Sequence, residues 1–144
     1  MPEIIRLGGL ELRFLRSRHD TGGVLDLFEM AVAPNARMPV PHYHRDWEET
    51  IYGLSGVVTF TVAGTPHHIG AGDTVFIARG QVHGFDNRGT EVARCLCLLT
   101  PGALGPDYFL EIRDAMPVGA PPDPAKLGAI MARYGLIPAP PPPP

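Results

Sequence analysis

The chain has no run of basic residues, no long apolar stretch and only two cysteines. Each shortage removes a class of function. Nucleic-acid binding needs a basic face that displaces counterions from phosphates. A formal net charge of −3 without clustered Lys and Arg does not supply one. The longest apolar runs, such as residues 95–99, fall far short of the roughly 20 residues that span a bilayer, so no membrane partner is expected. Met1-Pro2-Glu3 shows neither a basic nor an apolar leader, and the expected location is cytoplasmic. Cys95 and Cys97 share a strand face by their spacing. They read as small packing residues, because a zinc site wants four such ligands and the cytoplasm disfavours a disulfide.

What the chain does have is turn chemistry. Its 144 residues suit one core, 44% of them are hydrophobic, and 17 Gly and 17 Pro fall between short apolar segments. That pattern predicts an all-β domain. Strands are expected over 10–15, 24–33, 49–54, 57–62, 73–77 and 92–99. His19-Asp20-Thr21-Gly22-Gly23, Ser55-Gly56, Ala63-Gly64-Thr65-Pro66 and Gly70-Ala71-Gly72 mark the turns between them. Val58, Phe60 and Val62 alternate with Val57, Thr59 and Thr61, as in a half-buried antiparallel strand.

The character changes after Pro101. Phe109, Ile112 and Met116 are helically spaced within 107–116, and Pro117 stops that segment. A second helix has Asp123 as N-cap, Pro124 at its first position and Gly135 at its end. Leu127, Ile130, Met131 and Tyr134 form its apolar stripe.

The chemistry-bearing residues begin with His42 and His44. Residues two apart on an extended strand point the same way, and Pro39 and Pro41 favour that backbone. Two such imidazoles can share one metal ion, but the pair alone is a weak signal. After the polar link Arg45-Asp46-Trp47 come Glu48 and Glu49, of which only one can face inward. A short link is expected to bring the chain back beside its start, so that Glu49 can approach the imidazoles. A distant segment, Gly72 to Asn87, carries His83 in a glycine framework.

Together the two segments resemble the cupin superfamily. Its first motif runs G-x5-H-x-H-x3,4-E-x6-G, which His42, His44, Glu49 and Gly56 fit. The six-residue spacing to Gly56 selects Glu49 over Glu48. The second motif runs G-x5-P-x-G-x2-H-x3-N, which Gly72, Gly80, His83 and Asn87 fit. Ala36 replaces a motif Gly and Ala78 a motif Pro. Both are turn positions. The resemblance implies a jelly-roll β-barrel with one or two short C-terminal helices, binding one divalent first-row ion (Fe, Mn, Ni, Co, Cu or Zn) through His42, His44, Glu49 and His83. The expected boundaries are a barrel over 1–105 with core motifs at 36–87, and a helical extension over 106–137 packed on it. A Pro-rich tail over 138–144 is expected to be extended polyproline or disordered.

By strand parity Phe85 shares the face of His83, and with Ile51 and Phe60 it is a candidate cavity wall. Tyr43 and Tyr52 should point away from the ligands. Trp47 is expected to rim the cavity mouth or seal an interface. His19, His67 and His68 are expected to lie outside the site, the last two exposed at a strand end. The resemblance extends to quercetinase-like cupin dioxygenases, on Glu49-Thr50-Ile51-Tyr52 and, less specifically, on the C-terminal segment. It implies a dioxygenase-type oxidoreductase acting on a small enol, flavonol or diketone-like substrate, with Glu49 both ligand and base. A metal-dependent lyase or isomerase and a non-catalytic small-molecule-binding cupin are the alternatives. The family also implies a homodimer, with residues 3–16 as a candidate exchange strand.

Overall fold

The computed structural model describes residues 3–36, 41–117 and 119–140. They form two antiparallel sheets packed face to face, as a cupin jelly roll does. In chain order the strands are β1 (Ile4–Leu7), β2 (Leu10–Arg16), β3 (Asp26–Val32), β4 (His42–His44), β5 (Glu48–Ser55), β6 (Val58–Val62), β7 (Thr65–Ile69), β8 (Thr74–Ile77), β9 (His83–Asp86) and β10 (Ala93–Thr100). Helices α1 (Gly105–Asp114) and α2 (Pro124–Arg133) follow, then strand β11 (Leu136–Pro138). One sheet is ordered β1-β2-β3-β10-β5-β8, the other β11-β4-β9-β6-β7.

Alternation sets the packing. At the centre of the larger sheet, Cys95, Cys97 and Leu99 of β10 are fully buried, while Arg94, Leu96 and Leu98 face out. Phe28, Met30 and Val32 of β3 and Ile51 of β5 join them in the gap between the sheets. Val58, Phe60 and Val62 of β6 close it from the other side. Cys95 and Cys97 are free thiols packed in this core, as their spacing suggested.

Several boundaries differ from the sequence expectations, each for a local reason. Thr65 and Pro66 are not turn residues but pair with Val62 and Thr61. The turn is the two-residue Ala63-Gly64, both at positive φ, a geometry that matches strand twist. Pro66 is tolerated because β7 is an edge strand. His67 and His68 therefore sit inside β7 rather than at its end, with His68 exposed and its Nδ1 3.0 Å from Thr59 Oγ1. The 45–47 link does not return the chain beside β4. It crosses from the smaller sheet to the larger, so β5 faces β4 instead of pairing with it. The N-terminal segment pairs within its own chain, β1 on β2 and β2 on β3.

The C-terminal part is less separate than expected. Helix α1 begins at Gly105, and Phe109 packs against Phe14 and Phe28. Asp123 caps α2 by accepting from Ala125 N–H at 3.0 Å. Gly135 then turns the chain at φ +82°, and Leu136–Pro138 joins the smaller sheet against β4. An extension ending at 137 and a tail starting at 138 thus cut through a strand. Pro138 fits there because β11 is an edge. Pro39 and Pro141–Pro144 lie outside the described residues.

Candidate metal centre

The two sheets contribute different ligand candidates. Strand β4 turns His42 and His44 inward, and β9 pairs with it so that His83 stands directly across from His42. Their ring centroids lie 4.4–5.2 Å apart, and one ligand atom from each ring falls within 4.8 Å of the others. All three are buried. Across the gap, β5 presents Glu49, whose Oε1 is 3.9 Å from both His44 Nε2 and His83 Nε2. Glu48 points the other way and pairs with Arg79. Alternation along β5 thus puts the two glutamates on opposite faces.

Gly56 is needed where it stands. Its φ is +63°, and a Cβ there would sit 2.6 Å from the Val92 carbonyl oxygen. Asn87, the last motif residue, is structural: its buried amide donates to Val32 O and Glu91 O. Ala78, in place of Pro, uses the N–H a proline would lack, donating to Gln81 Oε1 at 2.9 Å. The motif departure therefore leaves the turn before His83 well held.

Burial sets the electrostatics. Desolvation, reinforced by the His83 and His42 rings, holds His44 down at about 2. Desolvation also lowers His83, opposed by the hydrogen bond at Gln81. Burial pushes Glu49 up to about 8. The lowered values favour neutral His44 and His83, the ligating form. Three imidazoles and a carboxyl group packed in a core form a donor set suited to a first-row divalent cation. His83 is already oriented for that task. Its Nδ1 lies 3.0 Å from the Gln81 carbonyl oxygen, the position in which an N–H donates and leaves Nε2 free.

Other candidate residues take varied places. Ile51 and Phe60 are fully buried, and Phe85 is half-buried with its ring 5.3 Å from Phe60. All three line the gap on the side of the imidazoles' strands or of Glu49's. Tyr52 points to solvent, as parity required. His19 lies outside the centre and bonds Asp107 at 2.9 Å. Trp47, expected at a cavity mouth or an interface, lies inside the chain instead. It is buried and stacked on His44, with centroids 3.5 Å apart and planes 15° from parallel. Spacing does not reveal that contact, because it depends on how the link crosses between sheets. Spacing does not reveal Gln81 either, since its backbone carbonyl rather than its side chain orients His83.

Comparison with known proteins agrees with this fold. The cupin domain family model matches residues 28–99. The tetracenomycin polyketide synthase protein TcmJ of Streptomyces glaucescens is 30% identical over 101 residues, covering 70% of this chain and 64% of that protein. The chain thus spans less than two thirds of that relative. The polyketide cyclase RemF of Streptomyces resistomycificus superposes with a TM-score of 0.61 at 26% identity, covering 69% of this chain and 73% of that one. A predicted oxalate decarboxylase of Thermotoga maritima gives 0.62 at 25% identity, covering 70% and 92%. With its two-sheet fold and a family match that spans half its length, this chain belongs to the cupin superfamily.

Proposed function

We propose that the chain is a metal-dependent enzyme that acts on a small oxygen-rich substrate of the β-diketone class, with His42, His44, Glu49 and His83 holding the ion. The observation that carries this reading is the buried Glu49 side chain, whose Oε1 lies 3.9 Å from both His44 Nε2 and His83 Nε2. A cation held here would keep Glu49 as the carboxylate, the form that can take a proton from carbon. When bound, a divalent ion supplies a Lewis acid that polarises a carbonyl or enol oxygen.

The chain's own residues then have distinct tasks. The three imidazoles would hold the ion. Glu49 Oε accepts a proton from the carbon between two carbonyls. In a substrate with a further, more distant carbonyl, the resulting carbanion can attack that carbonyl carbon, and the proton returns from Glu49 to the new alkoxide oxygen. Atoms balance without an oxidant, giving an isomer of the substrate or, after loss of water, an unsaturated ring. Ile51, Phe60 and Phe85 would wall the apolar side of such a pocket. The name of RemF, a polyketide cyclase, favours cyclase chemistry, and TcmJ is named a polyketide synthase protein.

The resemblance of Glu49-Thr50-Ile51-Tyr52 to quercetinase-like enzymes favours a second reading, a dioxygenase on enols or flavonols with dioxygen as co-substrate. One experiment separates the classes. Protein loaded in turn with Fe, Mn, Co, Ni, Cu and Zn is incubated with a linear polyketone and with a flavonol, with and without air. An anaerobic product of unchanged mass, or lighter by one water, supports the proposal. Turnover only in air, with oxygen uptake, supports the dioxygenase instead. Substrate bound and recovered unchanged would leave a binding protein and overturn both.

A further inference from the structure

His44 differs from His83 in what holds its ring. Both turn Nε2 toward Glu49, and His83 is anchored at Nδ1 by the Gln81 carbonyl. His44 Nδ1 is buried and has no hydrogen-bond partner among the described residues. A metal-binding histidine ordinarily donates that N–H to an acceptor, which fixes the ring. Here the face of Trp47 lies flat against the ring instead, 3.5 Å between centroids.

Trp47 is itself held by the C-terminal segment. Its Nε1–H donates to the Tyr134 carbonyl at 3.3 Å, at the end of α2. Gly135 sits beside Trp47 at φ +82°, a backbone conformation that side chains with a Cβ rarely adopt. Arg45 N–H donates to Gly135 O at 2.9 Å, and β11 then pairs Leu136 with His44. One flank of the histidine is therefore built by residues some 90 positions later, beyond the 28–99 family match.

We propose that Trp47 is the positioning residue for His44, and that α2 and β11 act through it to set the strength and geometry of metal binding. The proposal rests on the metal reading above. Trp47 is the only tryptophan, so its fluorescence reports the stack directly. The probes are Zn(II), with affinity read by competition against a chromophoric chelator, and Co(II), read by its visible absorption and by quenching of Trp47. Wild type should bind one ion per chain, with Co(II) quenching the tryptophan. Trp47→Leu should weaken Zn(II) by about tenfold or more and shift the Co(II) spectrum, as loss of a supporting partner does. Trp47→Phe keeps an aromatic face and should recover most of the affinity. Gly135→Ala, which leaves Trp47 in place, should weaken binding and change the tryptophan emission.

Should Trp47→Leu fail to fold, Trp47→Phe and Gly135→Ala decide the matter alone: wild-type affinity and spectrum in Gly135→Ala would overturn the proposal. Unchanged binding in a folded Trp47→Leu would overturn it too, and leave the metal site intact. No binding by wild type would instead overturn the metal site, and this inference with it.

Discussion

At Glu49 two opposing demands meet. Burial favours the protonated carboxyl, and a cation would favour the carboxylate. With Glu49 at about 8 and His44 at about 2, loading the site displaces a proton from Glu49 and none from His44. Below pH 8 the apparent metal affinity should therefore rise about tenfold per pH unit, with about one proton released per ion. Calorimetry in buffers of different ionisation enthalpy measures that release, and Glu49→Gln should abolish it. The sign for stability runs the other way. A raised carboxyl pKa means that the folded metal-free chain keeps a proton the unfolded chain loses. Its contribution is full below the ordinary carboxyl value of 4.5 and falls as pH rises toward about 8. Metal-free wild type should lose stability relative to Glu49→Gln across that window. Glu48→Ala should leave metal content unchanged, while Glu49→Ala should lower it. Equal loss in both would overturn the assignment of Glu49.

At the scale of elements, the helices are tied to the barrel by specific polar contacts. Asp26 is fully buried at the start of β3. Its Oδ2 accepts from Ala103, Leu104 and Gly105 N–H at 2.9–3.2 Å, and its Oδ1 accepts from Arg18 N–H. One side chain thus satisfies the approach to α1 and its first turn. Asp26→Ala leaves those donors buried without partners and should cost roughly 3 kcal/mol. Urea unfolding measures the loss, and metal stoichiometry of the folded fraction should not change. Asp123→Ala removes the α2 cap and should cost about 1 kcal/mol, because that cap is exposed and makes a single bond.

The whole molecule raises the question of assembly. The N-terminal strands pair within the chain, so strand exchange is not required to complete the larger sheet. That sheet nevertheless exposes large apolar side chains on its outer face, Tyr52 and Leu54 of β5 and Phe76 of the edge strand β8. Exposed aromatics on adjoining strands are a surface that association would cover. The homodimer expected from the family resemblance should sediment as such at micromolar concentration, and Tyr52→Glu combined with Phe76→Glu should yield a monomer with unchanged metal content. A monomeric wild type would remove the dimer.

The alternation that buries Cys95, Cys97 and Leu99 follows from the amino-acid order alone, because side-chain direction on a strand has a fixed period of two. That order also determined the α2 start, since Asp123 and Pro124 act on their immediate neighbours. The ligand candidates were legible through motif spacing, which encodes positions on strands that the fold must bring together. What spacing could not carry was which sheet each strand joins. Only the tertiary structure decided that Glu49 faces the imidazoles from the opposite sheet, and that residues 136–138 form a strand beside His42 and His44. The flat contact of Trp47 on His44 belongs to the same class. It arises where a link crosses the gap and a distant glycine lets another strand close over it, and no local pattern records an encounter between segments so far apart in the chain.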